Sequence, residues 1–139
     1  MEIQPYLSFE GRCDEAIAFY RRAVDAEVTL LMRFKECPET AGCQPNPDHA
    51  EKVMHASLRL GDSTLLVSDG RCAGQPSFKG VTLSLIVRDE AEAERRFGAL
   101  ADGGQVQMPL APTFFSKRFG MLADRFGVSW MVLVRPNQA

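Results

Sequence analysis

The chain has 139 residues, the length of one domain, and its 45% apolar and 24% charged composition suits an ordinary folded protein with a real core. A formal net charge of −2, with acids and bases interspersed, argues against nucleic acid or an anionic membrane surface as a partner. No apolar run approaches the roughly 20 residues of a membrane span. Met1-Glu2-Ile3-Gln4-Pro5 has neither the basic nor the apolar stretch of a secretory leader, so a cytoplasmic location is expected.

The run Ile3–Phe9 is strand-like and is closed by Glu10-Gly11. A helix is predicted near 13–24, with Asp14 as its cap and Ala16, Phe19, Tyr20 and Ala23 as its apolar stripe. Val28, Leu30, Met32 and Phe34 then alternate with Thr29, Leu31 and Arg33, which predicts a strand. Cys37–Lys52 is rich in proline and poor in apolar residues, so it is a loop. Met54–Leu60 alternates as the next strand, and Gly61-Asp62-Ser63 turns it into Thr64–Ser68.

After a linker over 70–78 the order restarts. Val81–Val87 is a strand, and Asp89 opens a helix near 89–102 that Gly103-Gly104 stops. Gln105–Leu110 is a strand, and a Pro-containing loop over Ala111–Phe115 follows. Phe119–Ala123 and Val128–Val134 form a hairpin. Strand–helix–strand–strand–strand therefore occurs twice, in modules 1–69 and 79–139 of one domain. Even the helix openings recur, Asp14-Glu15-Ala16-x-Ala18 as Asp89-Glu90-Ala91-x-Ala93. A pair of ferredoxin-like repeats would need a second helix in each half, and neither half has room for one. The fold class is α+β.

Four cysteines offer the one compositional hint of a metal, since Cys37 and Cys43 share a loop with His49. No tightly spaced cysteine pair occurs, so structural zinc is not expected, and in a reducing cytosol Cys13, Cys37, Cys43 and Cys72 are expected as free thiols.

Three stretches carry a resemblance: Pro5-Tyr6-Leu7-Ser8-Phe9, the run from Met54 to Ser63, and the run from Phe119 to Trp130. With the βαβββ duplication, they resemble the PhnB-like branch of the glyoxalase/bleomycin-resistance/extradiol dioxygenase (vicinal oxygen chelate) superfamily. The resemblance implies a cupped eight-stranded mixed sheet with helices on its convex side, a concave cleft and a homodimer. Its members include metal-dependent isomerases, lyases and dioxygenases as well as metal-free drug-sequestering proteins, so the fold does not settle function. A demethylubiquinone methyltransferase label attaches to some PhnB-like sequences. It is discounted, because no strand–Gly-rich-loop–helix unit is present to hold a methyl donor.

In metal-dependent members of the superfamily, four ligands come from the first, fourth, fifth and eighth strands. Those positions fall on Pro5 (or Leu7), Leu66, Thr82 and Met131, which lack the nitrogen and charged oxygen donors a divalent ion needs. No metal and no other cofactor is expected there.

Strand alternation places Val28/Leu30/Met32, Met54/Ala56/Leu58, Leu65/Val67, Val81/Leu83/Leu85 and Val128/Trp130/Val132 against the helices. The cup face then carries Arg33, His55, Ser57, Arg59, Ser68, Thr82, Ser84 and Met131, along with Thr29, Leu31, Thr64, Leu66 and Ser129. Guanidinium forks suit carboxylate or phosphate, and His55 is the candidate acid or base. Phe115, beside Phe114 in the loop after Pro112, is a candidate pocket wall or interface residue. Asp14, Asp89 and Asp124 are read as caps and turn residues.

The expected function is metal-free binding of a small, anionic molecule by a homodimer. The alternatives are a lyase, isomerase or dioxygenase-type enzyme using His55 or a non-standard metal site, and a dimeric scaffold without a ligand.

Overall fold

The computed structural model describes residues 1–37 and 46–136. The chain divides into two compact units, Met1–Pro76 and Ser77–Ala139. The first holds β1 (Tyr6–Ser8), α1 (Cys13–Val24), β2 (Glu27–Arg33), β3 (Val53–Leu60) and β4 (Ser63–Ser68). The second holds β5 (Thr82–Val87), α2 (Glu90–Ala101), β6 (Gln105–Ala111), β7 (Phe119–Ala123) and β8 (Ser129–Val134). Each sheet has four strands, in the orders β1-β4-β3-β2 and β5-β8-β7-β6. In both, the first strand runs parallel to the last and the other pairs are antiparallel. The duplicated βαβββ architecture is thus present, hydrogen-bonded as two mixed sheets.

Helix α1 forms where the apolar stripe predicts it, and Ala16, Phe19, Tyr20 and Ala23 are all buried. Its cap differs from expectation. Arg12 occupies the N-cap, and Asp14 lies one residue inside the helix. The Gly11 and Cys13 amides donate instead to Asp69 Oδ1, at 2.9 and 2.8 Å, while Val53 N donates to Oδ2 at 2.8 Å. A carboxylate distant in sequence therefore satisfies donors that a local cap would normally take. Helix α2 follows the expected chemistry, with Asp89 Oδ1 accepting from Glu92 N at 2.8 Å.

The first core centres on Phe9, Tyr20, Val53, Leu58 and Val67, and the second on Leu100, Leu122, Trp130 and Val132. Val81, expected beneath α2, is exposed, because it precedes β5. Cys13 is fully buried, and that burial pushes its thiol well above the ordinary range. Cys13 and Cys72 are free thiols, but Cys37 is disulfide-bonded, which corrects the expectation of a free thiol there.

The expected Cys37–Lys52 loop is described at its ends. It is entered from a short 3-10 turn at Phe34–Glu36, and Pro47–His49 forms another. Cys43 lies outside the described residues. No helix among the described residues is long and apolar enough to cross a membrane.

Candidate functional site

Antiparallel and parallel partners at the same level of a sheet point their side chains to the same side, so the register assigns the faces. In the first unit one level reads Leu31–Ala56–Val67–Leu7; three of these four are buried, and the contacts between α1 and β3 mark this as the helix side. The adjacent level reads Leu30–Ser57–Leu66–Tyr6 and lies on the opposite, open side. Met32 and His55 are paired on that open side, as are Glu27 and Arg59.

This arrangement exchanges part of the expected pattern. A bulge between Val28 and Leu30 adds one residue to β2, and a one-residue insertion shifts every later side chain to the other face. Leu30 and Met32 join His55, whereas Leu31 turns to the helix side. A second irregularity, between Met32 and Arg33, pairs Arg33 with Val53. Arg33 therefore does not stand beside His55. Its guanidinium donates to both oxygens of Asp14, at 3.0 and 3.1 Å, and to the Glu51 carbonyl at 2.6 Å. The hydrogen bonds to Asp14 raise the Arg33 pKa further, so Arg33 is a cation fully engaged within the protein.

His55, Ser57 and Arg59 do share the open face. Arg59 is ion-paired with Glu27 across the sheet, and both side chains are more than half exposed. Ser68 is buried, and its hydroxyl donates to the Met54 carbonyl at 2.8 Å and accepts from Gly70 N at 2.9 Å. That leaves Ser68 little capacity for a ligand.

The most distinctive contact on the face involves a residue that sequence analysis passed over. The Tyr6 hydroxyl lies 2.9 Å from His55 Nδ1, with the ring centroids 5.5 Å apart. Tyr6 is 52% exposed. Among the described residues no other hydrogen bond engages the His55 ring, which leaves Nε2 for an incoming group. A hydroxyl fixed on one ring nitrogen selects which tautomer presents the other. Around this pair stand the apolar side chains of Leu30, Met32 and Leu66. The face can hold an apolar body while exchanging a hydrogen bond or a proton at one point. The available signal for Tyr6 was alternation with Leu7 and Phe9, both of which are buried.

In the second unit, one level on the side opposite Trp130 reads Ser84–Met131–Met121–Met108, and the next reads Thr82–Ser129–Ala123–Gln105. Thr82, Ser84 and Met131 are thus brought to one face, as alternation predicts. Phe115 lies in the β6–β7 loop, edge-on to Phe114 at 5.1 Å and to Phe119 at 5.3 Å.

The four strand positions implied for a divalent metal do not fit one. Pro5 has no side-chain donor atom and its alternative Leu7 is on the helix side, Leu66 is a hydrocarbon between Tyr6 and Ser57, and Met131 offers a thioether between Ser84 and Met121. Thr82 adds one neutral hydroxyl. Hard cations require charged or strongly polar oxygens in number. Among the described residues no group of three or more His, Cys, Asp or Glu side chains is placed to hold a metal ion.

Comparison with known proteins agrees with this fold. Residues 1–133 match the family profile of 3-demethylubiquinone-9 3-methyltransferase. Protein YjdN of Escherichia coli is 37% identical, covering 99% of this chain and 98% of its own length. The crystal structure of protein PA1353 from Pseudomonas aeruginosa is 42% identical, with a TM-score of 0.84 over 99% of both chains. A PhnB protein from Bacillus cereus is 29% identical, with a TM-score of 0.76 over 96% of this chain and 99% of its own. The fold alone extends to a glyoxalase-related enzyme from Fulvimarina pelagi (TM-score 0.60, 16% identity, 97% and 88% coverage) and to the fosfomycin resistance protein FosX from Mesorhizobium loti (0.61, 11%, 96% and 90%). With its two βαβββ units, the chain belongs to the PhnB-like 3-demethylubiquinone-9 3-methyltransferase family and is built on the glyoxalase/bleomycin-resistance fold.

Proposed function

We propose that this protein is a homodimeric, single-domain binder of a small anionic molecule, held on the open face of its first sheet without a divalent metal. The Tyr6–His55 hydrogen bond carries this reading. It is a preset polar point on a face that otherwise offers Leu30, Met32 and Leu66. A few placed polar groups within an apolar surface are the usual composition of a small-molecule site. Arg59 supports an anionic ligand. An exposed ion pair such as Arg59–Glu27 is worth only about 0–1 kcal/mol, so a carboxylate or phosphate can displace Glu27 at little cost.

The test is a thermal-shift screen against small carboxylates, phosphates and phosphonates, followed by NMR of the His55 ring. One class of compound should raise the melting temperature and move the His55 resonances, and Tyr6→Phe and His55→Ala should each weaken binding tenfold or more. Binding that survives both substitutions unchanged would remove the reading.

The same hydrogen bond favours a second reading, an enzyme of the lyase or isomerase type with His55 as general base and Tyr6 as the residue that positions it. Turnover of the bound compound, lost in His55→Ala while binding persists, would select it. Elemental analysis of the purified protein tests the metal-free part of the proposal.

Homodimer formation is supported by exposed apolar side chains on the edge strands, Leu30 on β2 and Val106 and Met108 on β6. A monomer mass by light scattering at micromolar concentration would refute it. A cytoplasmic location belongs to the same proposal. The free thiols of Cys13 and Cys72 support it, the disulfide at Cys37 weighs against it, and cell fractionation decides.

A further inference from the structure

The loop between β6 and β7 is built more firmly than a simple connection requires. Thr113 N donates to the Ser116 carbonyl at 2.9 Å, and Ser116 N donates to Thr113 Oγ1 at 3.0 Å, closing a tight turn. The buried Ser116 hydroxyl lies 2.7 Å from the Arg118 carbonyl and 2.8 Å from that of Val134, tying the turn to the end of β8. This anchoring holds outward a side chain that folding alone would not leave in water. Phe114 is 100% exposed, and Phe115 is stacked edge-on between it and Phe119.

Beside these rings the loop and the residues after β8 border an open pocket of about 520 Å³. Lys117 and Arg135 line it, and among the described residues no acidic one does. Neither cation has a carboxylate partner among the described residues, in contrast to the nearby Arg118, which pairs with Glu90 and Glu94. The wall is therefore aromatic and the rim positive, with no carboxylate among the described residues paired to either cation.

The geometry points to a second ligand site in the β6–β7 loop, selective for an aromatic carboxylate whose ring packs on Phe114 and Phe115 and whose carboxylate meets Lys117 and Arg135. Ring–ring contact supplies apolar burial with a preferred edge or offset geometry. The guanidinium supplies a fork that matches a carboxylate. The site lies wholly within the second unit, whereas Tyr6 and His55 belong to the first, so the two sites stand or fall separately.

The probe is 1-naphthoate, with the neutral 1-naphthalenemethanol and inorganic phosphate as controls, titrated into the full-length protein and followed by amide NMR and calorimetry. Naphthoate should shift the Phe114, Phe115, Ser116 and Lys117 amides, bind at least tenfold more tightly than either control, and weaken as salt is added. The double substitution Lys117→Gln/Arg135→Gln should remove the preference for naphthoate over the alcohol, and Phe114→Ala should weaken both aromatic probes. Both changes are at exposed positions, so unchanged melting temperatures will show that the fold is intact. The proposal is overturned by equal binding of naphthoate and the alcohol, by shifts confined to Tyr6 and His55, or by no shift at millimolar probe. It is also overturned if Phe114→Ala leaves naphthoate binding unchanged but converts a dimer to a monomer, which would make the loop a contact between copies.

Discussion

Asp124 and Trp130 are joined by a hydrogen bond of 2.9 Å, from the indole Nε1 to Oδ2, while Oδ1 accepts from Phe126 N and Val128 N at 2.9 and 3.1 Å. Both residues are buried, so one carboxylate shapes the β7–β8 turn and orients the largest side chain of the second core. Asp124→Ala strands three buried donors. At about 1–3 kcal/mol for each unmet group, and less than additively, the expected loss is about 3–5 kcal/mol. Asp124→Asn keeps one acceptor oxygen and should lose about half as much. Urea denaturation followed by Trp130 fluorescence measures both, and a loss below about 1 kcal/mol for the alanine variant would mean that water replaces the carboxylate.

Asp69 plays the corresponding part in the first unit, where its two oxygens take the Gly11, Cys13 and Val53 amides. Asp69→Ala should also destabilise by about 3–5 kcal/mol. Serine at this position retains one short acceptor and cannot reach all three donors, so it should recover only part of the loss. Full recovery by serine would contradict the three-way role.

Glu10 ties the linker to the β1–α1 turn. Its Oε2 accepts from Arg71 N at 3.1 Å and Ala73 N at 3.0 Å, and Oε1 accepts from the Ser8 hydroxyl at 2.9 Å. The bond from Ala73 is the main cause of a carboxyl pKa held below the ordinary 4.5. A carboxyl depressed in the folded state contributes stability that is present above its unfolded value and lost as pH falls through the lowered folded one. The Arg71 and Ala73 amide shifts should therefore titrate with a midpoint below 4.5, and Glu10→Gln should abolish that titration. A midpoint at or above 4.5 would contradict the assignment.

Two glycines should respond to alanine with opposite signs. A Cβ on Gly104 would sit 2.2 Å from the Ala123 carbonyl oxygen and within 2.9 Å of Asp124 Cα, backbone atoms that cannot step aside. Gly104→Ala should cost about 1–3 kcal/mol. Gly98, exposed within α2, has nothing within 4 Å of the added carbon, and alanine there should stabilise by about 0.5–1 kcal/mol through helix propensity. Thermal unfolding of the two variants compares them directly.

Most of the element order was legible because it rests on local periodicity. The stripe from Ala16 to Ala23 and the alternation from Leu83 to Val87 each encode one face. The faces of β2 were not legible, because a bulge at Thr29 leaves no mark in a strand whose residues on both sides are apolar. Leu30 and Leu31 read equally well either way, and only pairing with Ser57 and Ala56 decides. Arg33 was misplaced because a second irregularity, between Met32 and Arg33, also leaves no mark in the sequence. Asp14 was read as a cap because caps are local, whereas the true acceptor, Asp69, reaches the helix only through the fold. Tyr6 escaped notice because Ile3 and Pro5 blur the alternation of the run Ile3–Phe9, of which only Tyr6–Ser8 is strand.

The reach of Asp69 also bears on how long the folded chain lasts. Its donors lie as far as 58 residues away in sequence, so its bonds cannot form until β3, β4 and the start of α1 have already met. If these bonds are completed after the transition state, their loss registers as faster unfolding rather than slower folding. Asp69 is therefore expected to act as a latch on escape more than a guide to entry, so that Asp69→Ala should speed unfolding of the first unit more than it slows folding when both rates are measured by stopped flow.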